Sequence, residues 1–142
     1  GNAIAARMAK RLDLGLATPW QATRDPIIAL GGLLTQITGA LGKLGVDVTL
    51  LAQNEIAAVR LEGGGGSSAM AHKSNPVNAE VLVALGRFNA GLSGTLAQAQ
   101  LHENERSGAA WTLEWLTLPP MLVNTGASLR LAENLLQQLR LA

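Results

Sequence analysis

Between Ile27 and Leu51 the apolar residues Ile27, Leu30, Leu34, Ile37, Leu41, Leu44, Val48 and Leu51 recur at steps of three and four. That spacing lays one continuous stripe along a single α-helix face and leaves no room for the period-two alternation of a half-buried strand. Followed to about Arg60, the block predicts a helix approaching roughly 50 Å at about 1.5 Å per residue. Gly31, Gly32, Gly39, Gly42 and Gly45 interrupt it. Each costs about 1 kcal/mol against alanine, so local propensity alone does not sustain such a helix. Close packing against neighbouring helices has to compensate, which predicts a bundle shared between subunits. Two shorter helices broken near Gly42 to Gly45 are the alternative.

The rest of the chain reads the same way. A first helical block ends near Leu12, and "DLGLATPWQATRDP" is a connector broken by Pro19 and Pro26. A third helix is expected from about Val77 to Gln100 and a fourth from about Ala109 to Leu139, with Pro119 and Pro120 kinking or interrupting the last. No stretch alternates long enough to predict a sheet. The fold class is therefore all-α, a bundle of long helices over residues 1–142. The opening "GNAIAARMAKRLDLGL" reads as the tail of a helix already under way, so the chain is expected to be the central domain of a longer protein.

Composition narrows the function classes. Of 142 residues, 48% are hydrophobic and 15% charged, enough apolar content for a buried core. Eleven basic and ten acidic residues are spread along the chain, which gives no footprint for nucleic acid or a membrane surface. Cysteine is absent, which removes thiolate catalysis and disulfides and fits a cytoplasmic setting. No apolar run reaches membrane-spanning length on this reading, and no signal-peptide core is visible.

The helical pattern breaks at "GGGGSSAMAHKSNP", Gly63 to Pro76. A phosphate-binding P-loop needs Gly-Lys-Ser/Thr, and here Lys73 follows His72; a dinucleotide fingerprint needs a preceding strand. What remains is unhindered backbone with exposed amides, hydroxyls from Ser67 and Ser68, a cation in Lys73 and an amide in Asn75. That inventory suits a ligand bearing carboxylates. A solvated loop between helices is the plain alternative.

The order of residues from Gly66 to Pro76 resembles the signature loop of the aspartase/fumarase superfamily, Gly-Ser-Ser-x-Met-Pro-x-Lys-x-Asn-Pro. "HENERSGAAWTLEW" and "LAENLL" extend the resemblance over essentially the whole chain, toward the branch that closes carboxylated muconates into lactones, with the adenylosuccinate lyase branch as a near relative. Ala71 stands where the family usually has proline, and Ser74 where this branch often has arginine. The second departure predicts an altered anionic substituent on the substrate, such as a sulfonate.

The resemblance implies a homotetramer with a helical core, active sites shared between subunits, and chemistry through a carbanion stabilised as an aci-carboxylate. It maps proton exchange at carbon onto Ser67 and substrate carboxylate binding onto Lys73 and Asn75. Ser68 and Met70 match the same motif as pocket-forming residues. A serine hydroxyl is too weak a base unless amides and a cation stabilise its alkoxide, and the glycine loop with Lys73 supplies both. The substrate implied is a small dicarboxylate or tricarboxylate, with no metal, nucleotide or redox cofactor.

Arg106, in the Glu-Arg pair of "HENERS", resembles a substrate-anion contact, against an ordinary structural ion pair. Arg24 resembles another, against a helix-start pair with nearby Asp25. His72 reads as a loop residue, His102 as part of a charged loop, and Glu114 as either buried or exposed. Trp20, Trp111 and Trp115 read as core or interface residues, Met8 and Met121 as core. An elimination lyase and a helical structural protein that has lost catalysis are the competing functions; retention of Ser67, Lys73 and Asn75 argues against the latter.

Overall fold

The computed structural model describes residues 1–17, 21–62, 65–66 and 74–142. Helices α1 (Asn2–Arg11), α2 (Asp25–Leu51), α3 (Val77–Gln98) and α4 (Gly108–Gln138) account for most of them. Two short ladders accompany the helices. β1 (Val59–Leu61) pairs antiparallel with β4 (Leu139–Leu141), and β2 (Gly65–Gly66) pairs antiparallel with β3 (Ser74–Asn75). The expectation of no sheet is corrected to this extent.

Helix α2 is one uninterrupted rod, not two helices broken at the glycines, and at 27 residues it spans about 40 Å. It starts with Pro26 in its first turn, where a missing amide is harmless. It stops at Leu51 rather than continuing to Arg60, because the apolar stripe ends there. Val59 is instead buried by strand pairing, opposite Leu141. α2 is also long and apolar enough by composition to cross a bilayer, with a mean hydropathy of 1.4 over 18 residues, which corrects the sequence reading. In the fold its buried face, Gly31, Leu34, Thr38, Gly42, Gly45 and Val48, lies against α3 and α4.

Glycine explains how closely α2 and α3 approach. A Cβ placed on Gly45 would run into the carbonyl oxygen of Ala79, and one on Gly86 would lie 2.8 Å from the carbonyl oxygen of Thr38. The two backbones therefore approach at Gly45 and Gly86 to a separation that only the absence of side chains permits, while a Cβ on Gly42 would meet the Leu82 carbonyl oxygen in ordinary contact at 3.5 Å. Gly32 and Gly39 face open space instead.

Helix α4 packs on both partners and completes two apolar clusters. One joins Val48, Ala79, Leu82, Ala132 and Leu135; the other joins Leu34, Leu96 and Met121. A polar layer lies along the same interface. Asn89, fully buried, donates to the Met121 carbonyl and to Thr125 Oγ1, both at 3.2 Å, and its Oδ1 accepts from Asn124 at 3.0 Å. The buried amide is satisfied at both ends, as burial requires. Pro119 and Pro120 do not interrupt α4. The carbonyls they leave unmatched belong to Trp115 and Leu116, which are both exposed, so water can take them up. Met121 is core as expected, whereas Met8 on α1 is exposed, since α1 buries no residue.

Gly86→Ala is expected to cost about 1–3 kcal/mol, because the new methyl group meets backbone that cannot move aside. Urea denaturation of the full-length protein measures it, and an unchanged midpoint would show that the helices can separate freely.

Candidate active site

The connection between α3 and α4 is held by short-range hydrogen bonds. Ser107 caps α4, its Oγ accepting from the Ala110 amide at 3.4 Å. The Ser107 amide donates to His102 Nδ1 at 3.2 Å. Asn104 takes a left-handed conformation (φ 53°), which asparagine tolerates, and turns the chain between them. The same serine lowers the pKa of Glu103 through a side-chain hydrogen bond, with help from a backbone amide.

These contacts orient an imidazole that is completely buried. With Nδ1 placed as an acceptor, Nε2 is the ring nitrogen turned toward Glu114. Nε2 lies 3.5 Å from Glu114 Oε1 without hydrogen-bond geometry. Glu114 is itself buried and receives Arg24 as a fork, Nε to Oε1 at 2.6 Å and Nη2 to Oε2 at 2.5 Å. Arg24 also donates from Nη1 to the Gln21 carbonyl at 3.3 Å. Its hydrogen bonds to Glu114 raise the guanidinium pKa further, outweighing the opposing effect of burial.

Arg24, Arg106, Gln21, Glu105 and Trp111 line one open depression of about 520 Å³. Both arginines singled out from the sequence thus meet in one place. Arg24 forks onto Glu114, 90 residues away, and Asp25 accepts from Gln100 Nε2 at 3.2 Å. Arg106 sits over Trp111, its Cζ 4.3 Å from the ring centroid. Trp111 and Trp115 meet edge to face at 5.9 Å and are exposed, so neither is core in this chain. His102 lies in the charged connection between α3 and α4, with its imidazole buried.

Asn75 lies half-buried on β3, opposite Gly65, and does not line this depression. The β2–β3 ladder closes the base of the signature loop. Ser67, Ser68, Met70, His72 and Lys73, like Trp20, lie outside the described residues. Sequence reasoning left Glu114 undecided and passed over His102 and Trp111 as site residues. The signals for them were a histidine within a charged stretch and a glutamate three residues beyond a tryptophan.

The helical bundle with its signature loop defines a class of protein, and comparison gives it a name. The sequence pattern of the lyase family matches residues 4–88, more than half of the chain, which belongs to that family and to the aspartase/fumarase superfamily. The chain is 41% identical over 140 residues to a 3-carboxy-cis,cis-muconate cycloisomerase from Pseudomonas aeruginosa, covering 96% of this chain and 30% of that protein. It is 39% identical over 130 residues to a nitrosuccinate lyase from Streptomyces davaonensis, covering 87% of this chain and 27% of that one. The crystal structure of 3-carboxy-cis,cis-muconate lactonizing enzyme from Pseudomonas putida superposes with a TM-score of 0.87 at 35% identity, over 98% of this chain and 31% of that structure. The chain therefore spans about 30% of the length of the cycloisomerase relatives it matches.

Glu114→Gln is expected to destabilise the protein by about 3 kcal/mol, because the Arg24 guanidinium would lose its charged partner in a largely buried site. A guanidinium chloride melt reads the loss; a change below about 1 kcal/mol would mean that water replaces the carboxylate.

Proposed function

We propose that the protein containing this chain is a 3-carboxy-cis,cis-muconate cycloisomerase of aromatic-acid catabolism, acting in the cytoplasm. The observation that carries the reading is the 41% identity to the Pseudomonas aeruginosa enzyme across 96% of this chain. The likeness to the lactonizing enzyme at a TM-score of 0.87 supports it. The chain forms the central helical domain, and a homotetramer completes the active sites. Apolar residues left exposed on the helices, among them Leu33, Leu50, Phe88, Val123 and Leu129, support such an assembly.

In this reading one substrate carboxylate oxygen adds to a carbon–carbon double bond of the same molecule. The electron pair displaced onto the neighbouring carbon is delocalised into an attached carboxylate as an aci-carboxylate. Protonation of that carbon then completes the lactone, with the proton exchanged through Ser67. Lys73 and Asn75 hold the carboxylate whose charge grows as the ring closes, and Lys73 together with loop amides also favours the serine alkoxide. Ser68 and Met70 shape the pocket, while Arg106 and the Glu114-braced Arg24 provide further anion contacts. The reaction calls for no metal or redox cofactor, and neither nucleic acid nor membrane takes part.

The second reading is an elimination lyase of the adenylosuccinate lyase type, favoured by the 39% identity to nitrosuccinate lyase. Both reactions pass through a carbanion beside a carboxylate. They differ in whether a ring closes or a substituent leaves.

Incubation of the full-length protein with 3-carboxymuconate is expected to remove the conjugated-diene absorbance, while adenylosuccinate and nitrosuccinate release no fumarate. Fumarate release without diene loss would establish the lyase instead. Ser67→Ala is expected to lower kcat about a thousandfold while the tetramer persists on gel filtration. Near-normal turnover would remove Ser67 from proton exchange.

A further inference from the structure

The two arginines in the depression are in different electrostatic states. Arg24 is matched by Glu114 through two charge-assisted hydrogen bonds. Among the described residues Arg106 has no carboxylate partner, and its guanidinium rests on the Trp111 ring, 4.3 Å from the centroid. Trp115 meets Trp111 edge to face at an interplanar angle of 89° and helps to hold the indole in place.

Position along the helix explains why these residues meet. With Ser107 as N-cap, Arg106 precedes the cap and Trp111 is the fourth helical residue. Those are the two places that usually carry an apolar staple at a helix start. An aliphatic side chain at 106 would satisfy a staple, so packing alone does not call for arginine. Arginine adds a planar fork of five N–H donors, and stacking engages only its face, leaving the in-plane edge available. Both residues line the depression. Glu105 lines it too, and Arg24 is already offset by Glu114. Net positive charge is therefore not what would hold an anion there. The direction of the Arg106 fork has to do so.

We propose that Trp111 is a positioning residue, holding the Arg106 guanidinium by its face so that its in-plane N–H edge meets a carboxylate of a small dicarboxylate or tricarboxylate substrate. The inference rests on the carboxylate-substrate reading above.

Affinity is measured by calorimetry with the full-length protein carrying Ser67→Ala, which arrests turnover, using 3-carboxymuconate as probe. Trp111→Ala is expected to raise Kd about tenfold, and Trp111→Phe, which keeps a ring, to raise it about threefold or less. Arg106→Lys keeps the charge but not the fork and is expected to weaken binding at least tenfold. Adding Trp111→Ala to Arg106→Ala is expected to change Kd less than twofold further, since the stack is already gone. With Ser67 restored, the effect of Trp111→Ala falls on KM more than on kcat, whereas a purely structural staple would lower thermal stability and leave KM alone. An unchanged Kd in Trp111→Ala, or effects of the two substitutions that multiply in full, overturns the proposal. If the protein binds nitrosuccinate rather than 3-carboxymuconate, the cycloisomerase reading fails and the same set of Kd values with nitrosuccinate decides the role of Trp111. Binding of neither probe overturns both.

Discussion

Contact between the backbones of α2 and α3 is the constraint on which the other arrangements depend. With Gly45 and Gly86 at the crossing, carbonyl oxygens of the facing helix lie where side chains would otherwise stand. Such an interface has a narrow range of acceptable rotations, because any side chain turned into it collides with backbone rather than with a movable group. The rotation of α3 then determines which of its residues face α4. Leu82 and Leu96 join clusters with residues of both α2 and α4, and Asn89 bonds to α4, each completely or almost completely buried. Apolar clusters at two levels supply most of the burial, and Asn89 adds a directional contact that an aliphatic layer lacks. The glycines that weaken α2 as an isolated helix are what allow the bundle to hold it.

The position of α4 carries the candidate site with it. Its N-cap, Ser107, spends its amide on His102 and its hydroxyl oxygen on Ala110, so the helix start and the buried imidazole are set together. About two turns further on, Glu114 reaches the residue that caps α2 and ties the starts of two helices through one buried ion pair. A pair of this kind contributes little by itself over a well-packed apolar substitute, yet leaving either member alone is costly. It therefore specifies where Arg24 lies more than it stabilises the fold. Arg106, outside that pair and stacked on Trp111, is electrostatically a different group, although the two arginines line one depression.

Membership of the lyase family and the likeness to the lactonizing enzyme agree with what the bundle and the signature loop each suggest. The departures from the sequence expectation have separate causes. The expected extension of α2 to Arg60 carried a periodic pattern past its last apolar residue, and Val59 found its partner in β4, at the far end of the chain. Met8 was expected in the core because apolar residues usually are, but no residue of α1 is buried. The proline pair was expected to kink or interrupt α4, and of these two outcomes the interruption does not occur.

Local patterns were legible from the amino-acid order alone: the helix periods, the start of α3 after Pro76, the need for close packing at the glycines, and the motif that names Ser67, Lys73 and Asn75. These depend on neighbours within a few residues, or on a chemical inventory contained in one segment. Tertiary structure alone decided that Arg24 reaches Glu114, that His102 is buried beside them, and that Arg106 and Trp111 share a wall with Arg24. A charge finds its partner by distance in space, and sequence spacing reports that distance only within one helix or turn. Across 90 residues, the packing of α2, α3 and α4 sets it.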